Sequence, residues 1–273
     1  MGKLDGKVAF ITGAARGQGR SHAVALAKEG ADIIGVDICQ QMKNVPYPMA
    51  TSEDMARTVA EVEALDRRIV TAEADVRDVD AMRAAFEEGF AQLGSVDIVL
   101  ANAGILSLGS GDADEAVAFR EVVDVNLTGV WNTVHVAAPR MIEQGRGGAI
   151  VLTSSTQGLT GRGGDGSGGL SGYCAAKHGV VGLMRTFAHW LAPHNIRVNT
   201  VHPTGVNSPM IMNDAVGQMI AEKPHFADVL ANLMPVELVE TADISNAITW
   251  LVSDEARYVT GVTLPVDAGF TVK

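Results

Sequence analysis

Short apolar runs alternate with amphipathic stretches of helix length from one end of the chain to the other. The apolar runs predict strands over residues 8–12, 32–36, 69–73, 98–101, 149–153, 197–202 and 262–266. The stretches between them predict helices over residues 21–29, 55–65, 79–93, 117–141, 173–191 and 242–251. Strands without a polar face, separated by helices, are typical of a parallel sheet that is covered on both sides. The alternation therefore predicts an α/β fold, a doubly wound parallel sheet of about seven strands with helices on both faces.

We interpret the chain as one domain over residues 1–273, because no linker and no shift in composition divides it. Three segments interrupt the alternation. Residues 38–54 and the glycine-rich residues 159–172 are interpreted as inserts, and the methionine-containing residues 204–241 as a loop that meets the substrate. Long loops in a compact domain usually serve a function or move, and solvated surface decoration is the alternative for each segment.

Charge and cysteine content exclude several classes of partner. The formal net charge is −11, so phosphate backbones and anionic membranes are repelled on average, and we predict no nucleic-acid or membrane partner. No apolar run has the roughly 18 residues that a bilayer requires. The two cysteines, Cys39 and Cys174, cannot build a disulfide framework and fit a cytoplasmic location. Cys174 and His178 have no neighbours that complete a metal site, so no metal is predicted.

Residues 12–19, with the sequence TGAARGQG, join the first predicted strand to the first predicted helix. Glycines let the backbone approach a pyrophosphate, and a helix N-terminus offers free N–H groups to it. Glycine is also common in ordinary turns, but the strand–turn–helix context is the one that a dinucleotide-binding loop requires. The predicted cofactor contacts in this loop are Gly13, Arg16, Gly17, Gln18 and Gly19.

Asp37 follows the second predicted strand, where a carboxylate can accept hydrogen bonds from the hydroxyls of an adenosine ribose. The same carboxylate would repel a 2′-phosphate, which favours NAD over NADP. Arg16 argues the other way, because a basic residue in the glycine-rich loop can meet a 2′-phosphate. We expect the Asp37 carboxylate to determine the choice of cofactor, since a carboxylate and a 2′-phosphate repel each other strongly in a partly dry site. Other predicted cofactor contacts at strand ends are Ile38, Asp75, Val76, Asn102, Ala103 and Gly104.

Tyr173 and Lys177 are four positions apart on a predicted helix and therefore share one face. A lysine ammonium stabilises a phenolate. Lowering a tyrosine pKa from about 10 toward 7 requires roughly 4 kcal/mol. A nearby lysine and a positive nicotinamide ring together could supply this in a desolvated site.

With these motifs in this order, the chain resembles the short-chain dehydrogenase/reductase family over nearly its whole length, which implies a Rossmann fold. The matching pieces are residues 12–19, Asp37, Asp75, residues 102–104, Asn126, Ser155, Tyr173 with Lys177, and residues 203–205. The resemblance implies that Ser155 holds the substrate oxygen and that Tyr173 exchanges its proton. It further implies that Lys177 tunes Tyr173 and grips the nicotinamide ribose, and that Asn126 anchors a proton-relay water.

Tyr173 and Lys177 thereby also become predicted cofactor contacts. The remaining contacts that the resemblance implies are Pro203, Thr204, Gly205, Val206 and Ser208. Ser154 competes with Ser155, and we prefer Ser155 because the catalytic serine of the family is the second of the pair. The interval from Ser155 to Tyr173, 173 − 155 = 18 positions, is longer than is usual in the family and contains the glycine-rich segment.

Residues 36–39 (VDIC), 45–49 (VPYPM), 175–179 (AAKHG) and 201–206 (VHPTGV) are similar to the carveol dehydrogenase-like subgroup, which is coupled to mycofactocin. The subgroup resemblance implies oxidation of apolar secondary alcohols, with a tightly held NAD that an external redox cofactor of the mycofactocin type reoxidises in place. Residues 38–54 begin beside Asp37 and contain two prolines, so we predict a stiff cover over NAD. Packing of this insert away from the adenosine pocket is the alternative.

Two other functions stay open at this point. One is a ketoreductase of the 3-oxoacyl carrier type, against which Asp37 and the net charge of −11 both argue. The other is a catalytically silent NAD(H)-binding protein. The family resemblance also implies a homotetramer, in which the helices over residues 117–141 and 173–191 pair across two-fold axes.

Overall fold

A computed structural model describes residues 2–107, 114–222 and 225–273 of the chain, and for residues 225–227 only the backbone. The strands are β1 (Val8–Thr12), β2 (Asp32–Asp37), β3 (Ile69–Glu73), β4 (Ile98–Ala101), β5 (Gly148–Thr153), β6 (Ile196–Pro203), β7 (Val206–Asn207), β8 (Val239–Glu240) and β9 (Thr263–Val266). Seven of them form one parallel sheet in the order β3-β2-β1-β4-β5-β6-β9, and β7 and β8 form a separate pair. This confirms the predicted single-domain Rossmann fold.

The helices are α1 (Gly17–Lys28), α2 (Ser52–Glu63), α3 (Val79–Leu93), α4 (Glu115–Val123), α5 (Gly129–Gln144), α6 (Gly168–Leu191), α7 (Asp214–Glu222), α8 (His225–Leu230) and α9 (Thr241–Val252). A π-helical turn over Asp124–Thr128 joins α4 to α5. No helix in the described parts of the chain is long and apolar enough to cross a membrane.

Two hydrophobic clusters cover the two faces of the sheet. Alternate residues of β1 enter opposite clusters: Phe10 packs with residues of α3, α5 and α6, whereas Ile11 packs with residues of α1, α2 and α9. Both faces are therefore buried under helices, which is why the central strands β1, β4 and β5 consist almost entirely of apolar residues. The strand order reverses between β1 and β4, and the crevice at this switch point is where open α/β sheets bind ligands.

The glycine-rich segment differs from its prediction. Helix α6 begins at Gly168, within the predicted insert and five positions (173 − 168) before the predicted start at Tyr173. Ser167 caps the helix by accepting from the Leu170 N–H. A Cβ at Gly168 or Gly169 would overlap the backbone carbonyl of Glu115 or Ser107. These glycines let α6 pack closely against the chain around the start of α4, so they belong to a helix contact and not to a loop.

Other segments also differ from their predictions. Helix α1 begins at Gly17, four positions (21 − 17) before its predicted start. Residues 204–241, interpreted as a long loop, contain α7, α8, β7 and the start of α9. The two-residue β8 pairs with β7 and anchors this segment beside the end of β6.

Candidate active site

A solvent-open cleft of about 890 Å³ lies at the carboxyl ends of β1 and β4. The predicted residues that line it are Gly13, Arg16, Gly17, Gln18, Gly19, Asp37, Ile38, Asp75, Val76, Asn102, Ala103, Gly104 and Ser208. The fold thus brings together residues from four strand ends and from the segment after β6.

The glycine-rich turn gives the cleft a backbone floor. Gly13 has a φ of +70°, and a Cβ there would lie 2.9 Å from the Cα of Ala103. A Cβ at Gly19 would overlap the Gly13 carbonyl. No side chain of the described residues caps the N-terminal amides of α1, which begin at Gly17. Glycine is therefore required for the close approach, and free N–H groups face the cleft, as a pyrophosphate site requires.

Asn102 fixes this turn against the end of β4. Its amide nitrogen donates to the Thr12 carbonyl at 3.0 Å, and its backbone N–H donates to the Thr12 hydroxyl at 3.1 Å. The Ala103 N–H donates to the same hydroxyl at 3.2 Å. Asn102 and Thr12 thus join the start of the glycine-rich turn to the end of β4.

The Asp37 carboxylate accepts hydrogen bonds from the Ala15 N–H at 3.0 Å and from the Cys39 N–H at 3.3 Å. Burial raises the pKa of Asp37, while these hydrogen bonds and the charge of Arg16 act to lower it. The carboxylate is therefore tied to the glycine-rich turn and lies within electrostatic reach of Arg16. It presents an acceptor to the cleft, as the sequence predicts.

Asp75 and Val76 line the cleft beyond the end of β3. The Asp75 carboxylate is shared with Arg77, whose Nη2 is 2.6 Å from Oδ2. The Val76 carbonyl accepts from the Asn132 side chain at 2.8 Å. Both groups already have protein partners, so any contact of Asp75 with an adenine amino group would be shared with Arg77.

The cleft fits a dinucleotide by its chemistry. It combines uncapped helix amides, a carboxylate at Asp37 and a glycine floor. Gln18 adds a further indication, because its buried Oε1 has no hydrogen-bond partner among the residues that the structure describes. A buried acceptor without a protein donor is suited to a donor from a ligand.

Ser155, Tyr173 and Lys177 converge next to this cleft. The Ser155 side chain lies beside the Tyr173 phenol, and its hydroxyl accepts from the Gln157 N–H at 3.1 Å. Lys177 is buried, with its Nζ 5.6 Å from the centre of the Tyr173 ring. Its ammonium donates to the Thr153 carbonyl at 2.8 Å, which fixes it at the end of β5. Ser154 instead points away, donating to the Lys177 carbonyl at 2.9 Å.

Burial shifts both ionisable groups of this cluster toward their neutral forms. It raises the pKa of Tyr173, against which the hydrogen bond from Ser155 acts in the lowering direction. It lowers the pKa of Lys177 from 10.5 to about 8. Burial therefore outweighs the hydrogen bond from Ser155, and Tyr173 keeps a raised pKa. A positive charge close to the phenol would favour the phenolate.

Asn126 lies in the π-helical turn between α4 and α5 and is completely buried. Its side chain makes a reciprocal pair with Ile105, accepting from the N–H at 2.9 Å and donating to the carbonyl at 2.8 Å. A Cβ at Gly104 would lie 2.8 Å from the Asn126 Oδ1 and 3.7 Å from the Lys177 Nζ. The cofactor cleft and the Lys177 side chain thus meet at Gly104.

Some predicted cofactor contacts are not among the walls of the cleft. Pro203 ends β6, the Thr204 hydroxyl donates to the Asn232 side chain at 2.7 Å, and Val206 pairs with Val239. Gly205 approaches Leu238 closely enough that a Cβ would lie 2.8 Å from it. Thr204, Gly205 and Val206 connect the end of β6 to residues 232–239, whereas Ser208 lines the cleft.

Sequence reasoning missed several residues that line the cleft. They are Met42, Tyr47, Met49, Ala50, Ala74, Ile105, Val125, Pro209 and Met210. The first four belong to the insert over residues 38–54. Tyr47 is buried, and its hydroxyl accepts from the Leu106 N–H at 3.0 Å. The prolines on either side indicated a stiff segment, but no sequence signal indicated its partner.

The described residues contain no group of three or more histidine, cysteine or acidic side chains that could hold a metal. Cys174 and His178 serve local bonds: the Cys174 thiol is 3.3 Å from the Gln157 carbonyl, and the His178 Nδ1 is 2.9 Å from the Cys174 carbonyl.

Known proteins are similar to this chain in both sequence and structure. A short chain dehydrogenase family model matches residues 7–218. An uncharacterized oxidoreductase of Mycobacterium tuberculosis is 57% identical, with 99% of this chain and 98% of the relative covered. The (-)-trans-carveol dehydrogenase of Rhodococcus erythropolis is 47% identical over the full length of both chains. The crystal structure of a carveol dehydrogenase from Mycobacterium avium in complex with NAD matches with a TM-score of 0.92, 50% identity and full coverage of both chains. The chain therefore belongs to the short chain dehydrogenase family.

Proposed function

We propose that this protein is an NAD-dependent oxidoreductase that interconverts apolar secondary alcohols and their ketones. The observation that carries the proposal is the cluster of Ser155, Tyr173 and Lys177, which adjoins a cleft with a glycine floor and a carboxylate at Asp37. Family membership and the relatives named for carveol, itself an apolar secondary alcohol, support the same activity.

In this proposal Ser155 donates a hydrogen bond to the substrate oxygen and Tyr173 accepts the hydroxyl proton as the general base. When bound, NAD⁺ supplies the hydride acceptor and the positive charge of its nicotinamide ring. Lys177 is held by the Thr153 carbonyl near the Tyr173 ring, where its charge favours the phenolate. Asn126, clamped to Ile105, keeps the chain around Gly104 in place beside Lys177.

Asp37 supports NAD rather than NADP. Its carboxylate is held by two backbone N–H groups and therefore cannot turn away from a 2′-phosphate. Arg16 lies close enough to lower the Asp37 pKa, so its positive charge is partly balanced by the carboxylate. This arrangement also argues against a 3-oxoacyl carrier ketoreductase that uses NADPH.

We further propose that NAD is held tightly and reoxidised in place by an external redox cofactor of the mycofactocin type. The insert supports retention because Met42, Tyr47, Met49 and Ala50 line the cleft. The Gln41 side chain stabilises the insert internally, because its amide nitrogen donates to the carbonyls of Met42, Val45 and Tyr47. The Leu106 N–H donates to the Tyr47 hydroxyl, and the Asn44 side chain donates to Glu121. These bonds tie the insert to the segment after β4 and to α4. A cover fastened on both sides lowers the off-rate of a ligand beneath it.

A homotetramer is the proposed assembly. The aromatic side chains of Phe119 on α4, Trp131 on α5 and Trp190 on α6 are each about 40% exposed, which suits helices that pair with another copy. Static light scattering should report about four times 28.6 kDa, and a mass of 28.6 kDa would reject the assembly. The cytoplasmic location stays a prediction of the sequence.

The activity is tested with a panel of apolar secondary alcohols, each assayed with NAD, with NADP, and with an artificial electron acceptor and no added cofactor. We expect turnover of the alcohols with NAD or with the acceptor, and NAD(H) that co-elutes with the protein in gel filtration. Preference for NADPH and a 3-oxoacyl thioester would instead indicate the ketoreductase. NAD binding without turnover of any alcohol or ketone would indicate a silent cofactor-binding protein.

A further inference from the structure

His202 is a buried titratable residue that has no part in the proposed chemistry. It lies near the carboxyl end of β6, next to Pro203, and is completely buried. Its Nδ1 is 2.8 Å from the Ser155 carbonyl oxygen, and its Nε2 is 2.8 Å from the Thr200 hydroxyl. Thr200 and His202 are two positions apart on one strand and therefore share a face.

These two contacts select one form of the His202 ring. A carbonyl oxygen can only accept a hydrogen bond, so Nδ1 carries the hydrogen and Nε2 accepts from the Thr200 hydroxyl. Burial lowers the pKa of His202, and the charge of Lys177 acts in the same direction. The ring is therefore a neutral donor to Ser155 at pH 7.

The contact between His202 and the Ser155 carbonyl lies where the backbone pairing of β5 with β6 ends. The last register pair is Thr153 with Val201, and the Ser154 N–H donates to the Val201 carbonyl at 2.9 Å. One residue further along, the His202 ring supplies a donor to the Ser155 carbonyl that the strand backbone no longer provides. The same carbonyl accepts from the Gly158 N–H at 2.8 Å.

We propose that His202 is a positioning residue for Ser155: it holds the Ser155 backbone so that the hydroxyl stays within reach of Tyr173 and of the substrate oxygen. This inference rests on the proposed function. His202 acts through Ser155 and is not among the residues that line the cofactor cleft. Misplacing a reacting group by about 1 Å can lower a rate by about 100-fold, even when the altered residue touches no substrate.

Three substitutions at His202 distinguish the effect of losing the hydrogen-bond donor to Ser155 from the effect of changing the side chain in other ways. His202→Asn places an amide nitrogen near the former Nδ1 and keeps a donor for the Ser155 carbonyl. His202→Gln places its amide near the former Nε2, keeping the Thr200 partner but losing the donor to Ser155. His202→Leu removes both polar contacts and places an apolar side chain at the buried position.

We expect the single-turnover rate of hydride transfer to fall about 10- to 100-fold in His202→Gln and His202→Leu, and by less than about threefold in His202→Asn. The Kd for NAD should stay within about twofold in all three, because the cofactor cleft is unchanged. Equal rate losses in His202→Asn and His202→Gln at matched thermal midpoints would overturn the proposal, since a merely structural role does not distinguish the position of the donor.

Crystal structures of the wild-type protein and the three variants give a readout that does not depend on activity. We expect the distance between Ser155 Oγ and Tyr173 Oη to lengthen in His202→Gln and His202→Leu and to be unchanged in His202→Asn. An unmoved Ser155 in all three would reject the positioning role. Absence of turnover in the wild-type protein would reject the proposed function, while this distance would still decide the role of His202.

Discussion

Backbone atoms shape the cofactor side of the cleft, whereas buried side chains shape its catalytic side. On the cofactor side, the glycine floor at Gly13 and the uncapped amides of α1 present main-chain groups, and Asp37 is itself held by two main-chain N–H groups. On the catalytic side, the groups that face one another are the hydroxyls of Ser155 and Tyr173 and the ammonium of Lys177.

This difference indicates how each side responds to substitution. Main-chain groups stay in place when a side chain is changed, so substitutions on the cofactor side should alter which cofactor binds and how long it stays. A hydroxyl that is lost on the catalytic side has no substitute, so substitutions there should alter the rate of the chemical step. The four predictions below test this division.

Tyr173→Phe should lower turnover about 10²- to 10⁴-fold, because it removes the group that exchanges the substrate proton. The Kd for NAD should stay within about twofold, which fluorescence titration with NADH can measure alongside steady-state kinetics. Tyr258→Phe is the matched control, since Tyr258 is 88% exposed and far from any proposed role. Activity of Tyr173→Phe above a tenth of the wild-type activity would contradict the assignment of Tyr173 as the general base.

The pH dependence of the two reaction directions should be opposite. Burial raises the pKa of Tyr173, so below that pKa most molecules hold the protonated phenol. Alcohol oxidation needs the phenolate and should rise up to about tenfold per pH unit, whereas ketone reduction needs the phenol and should fall as the pH exceeds the Tyr173 pKa. Rate profiles measured in both directions check this, and parallel profiles would contradict the role of Tyr173.

Asp37→Ala should shift the ratio of NADP to NAD affinity by about 10- to 100-fold toward NADP, because the charge that repels a 2′-phosphate is lost. The substitution also leaves the N–H groups of Ala15 and Cys39 without their acceptor. Asp37→Asn keeps an acceptor and removes only the charge, so it separates the two effects in calorimetric titrations. A wild-type preference for NADP would assign the choice of cofactor to Arg16 instead.

Tyr47→Phe should accelerate release of bound NADH about fivefold, because one hydrogen bond of about 1 kcal/mol to the Leu106 N–H is lost. Stopped-flow release measures this, again with Tyr258→Phe as control. Deleting residues 40–51 is a blunter test, since Met42, Val45, Tyr47 and Ala50 are buried and their loss would expose the core. An unchanged release rate in a folded Tyr47→Phe would show that the insert does not retain the cofactor.

Local pattern predicted much of the fold. The apolar runs β1, β3 and β4 and helix α3 occur with the predicted boundaries, because strand alternation and helix termini depend on neighbouring residues. The Gly94 that ends α3 adopts a left-handed backbone, as a glycine at a helix C-terminus commonly does. Tyr173 and Lys177 are four positions apart in the sequence, so they share one face of a helix regardless of what the helix packs against.

The prediction of an insert over residues 159–172 is wrong from Gly168 onward, since glycine suits both a loop and a close helix contact. Gly168 and Gly169 lie in α6, where the absence of a Cβ lets the backbone carbonyls of Glu115 and Ser107 approach the helix. Glu115 and Ser107 come from a distant part of the chain. Composition cannot distinguish the two uses, because the second depends on which backbone carbonyl lies opposite.

The sequence by itself determined the doubly wound sheet, the glycine-rich turn and the candidate groups at Asp37, Ser155, Tyr173 and Lys177. Only the tertiary structure decided that Tyr47 bonds the backbone of Leu106, 59 positions away, and that His202 bonds that of Ser155, 47 positions away. The physical reason is that each of these bonds joins a side chain to a main-chain group. A main-chain N–H or carbonyl is the same at every residue, so no side-chain pattern marks which one will be met once the strands are placed side by side.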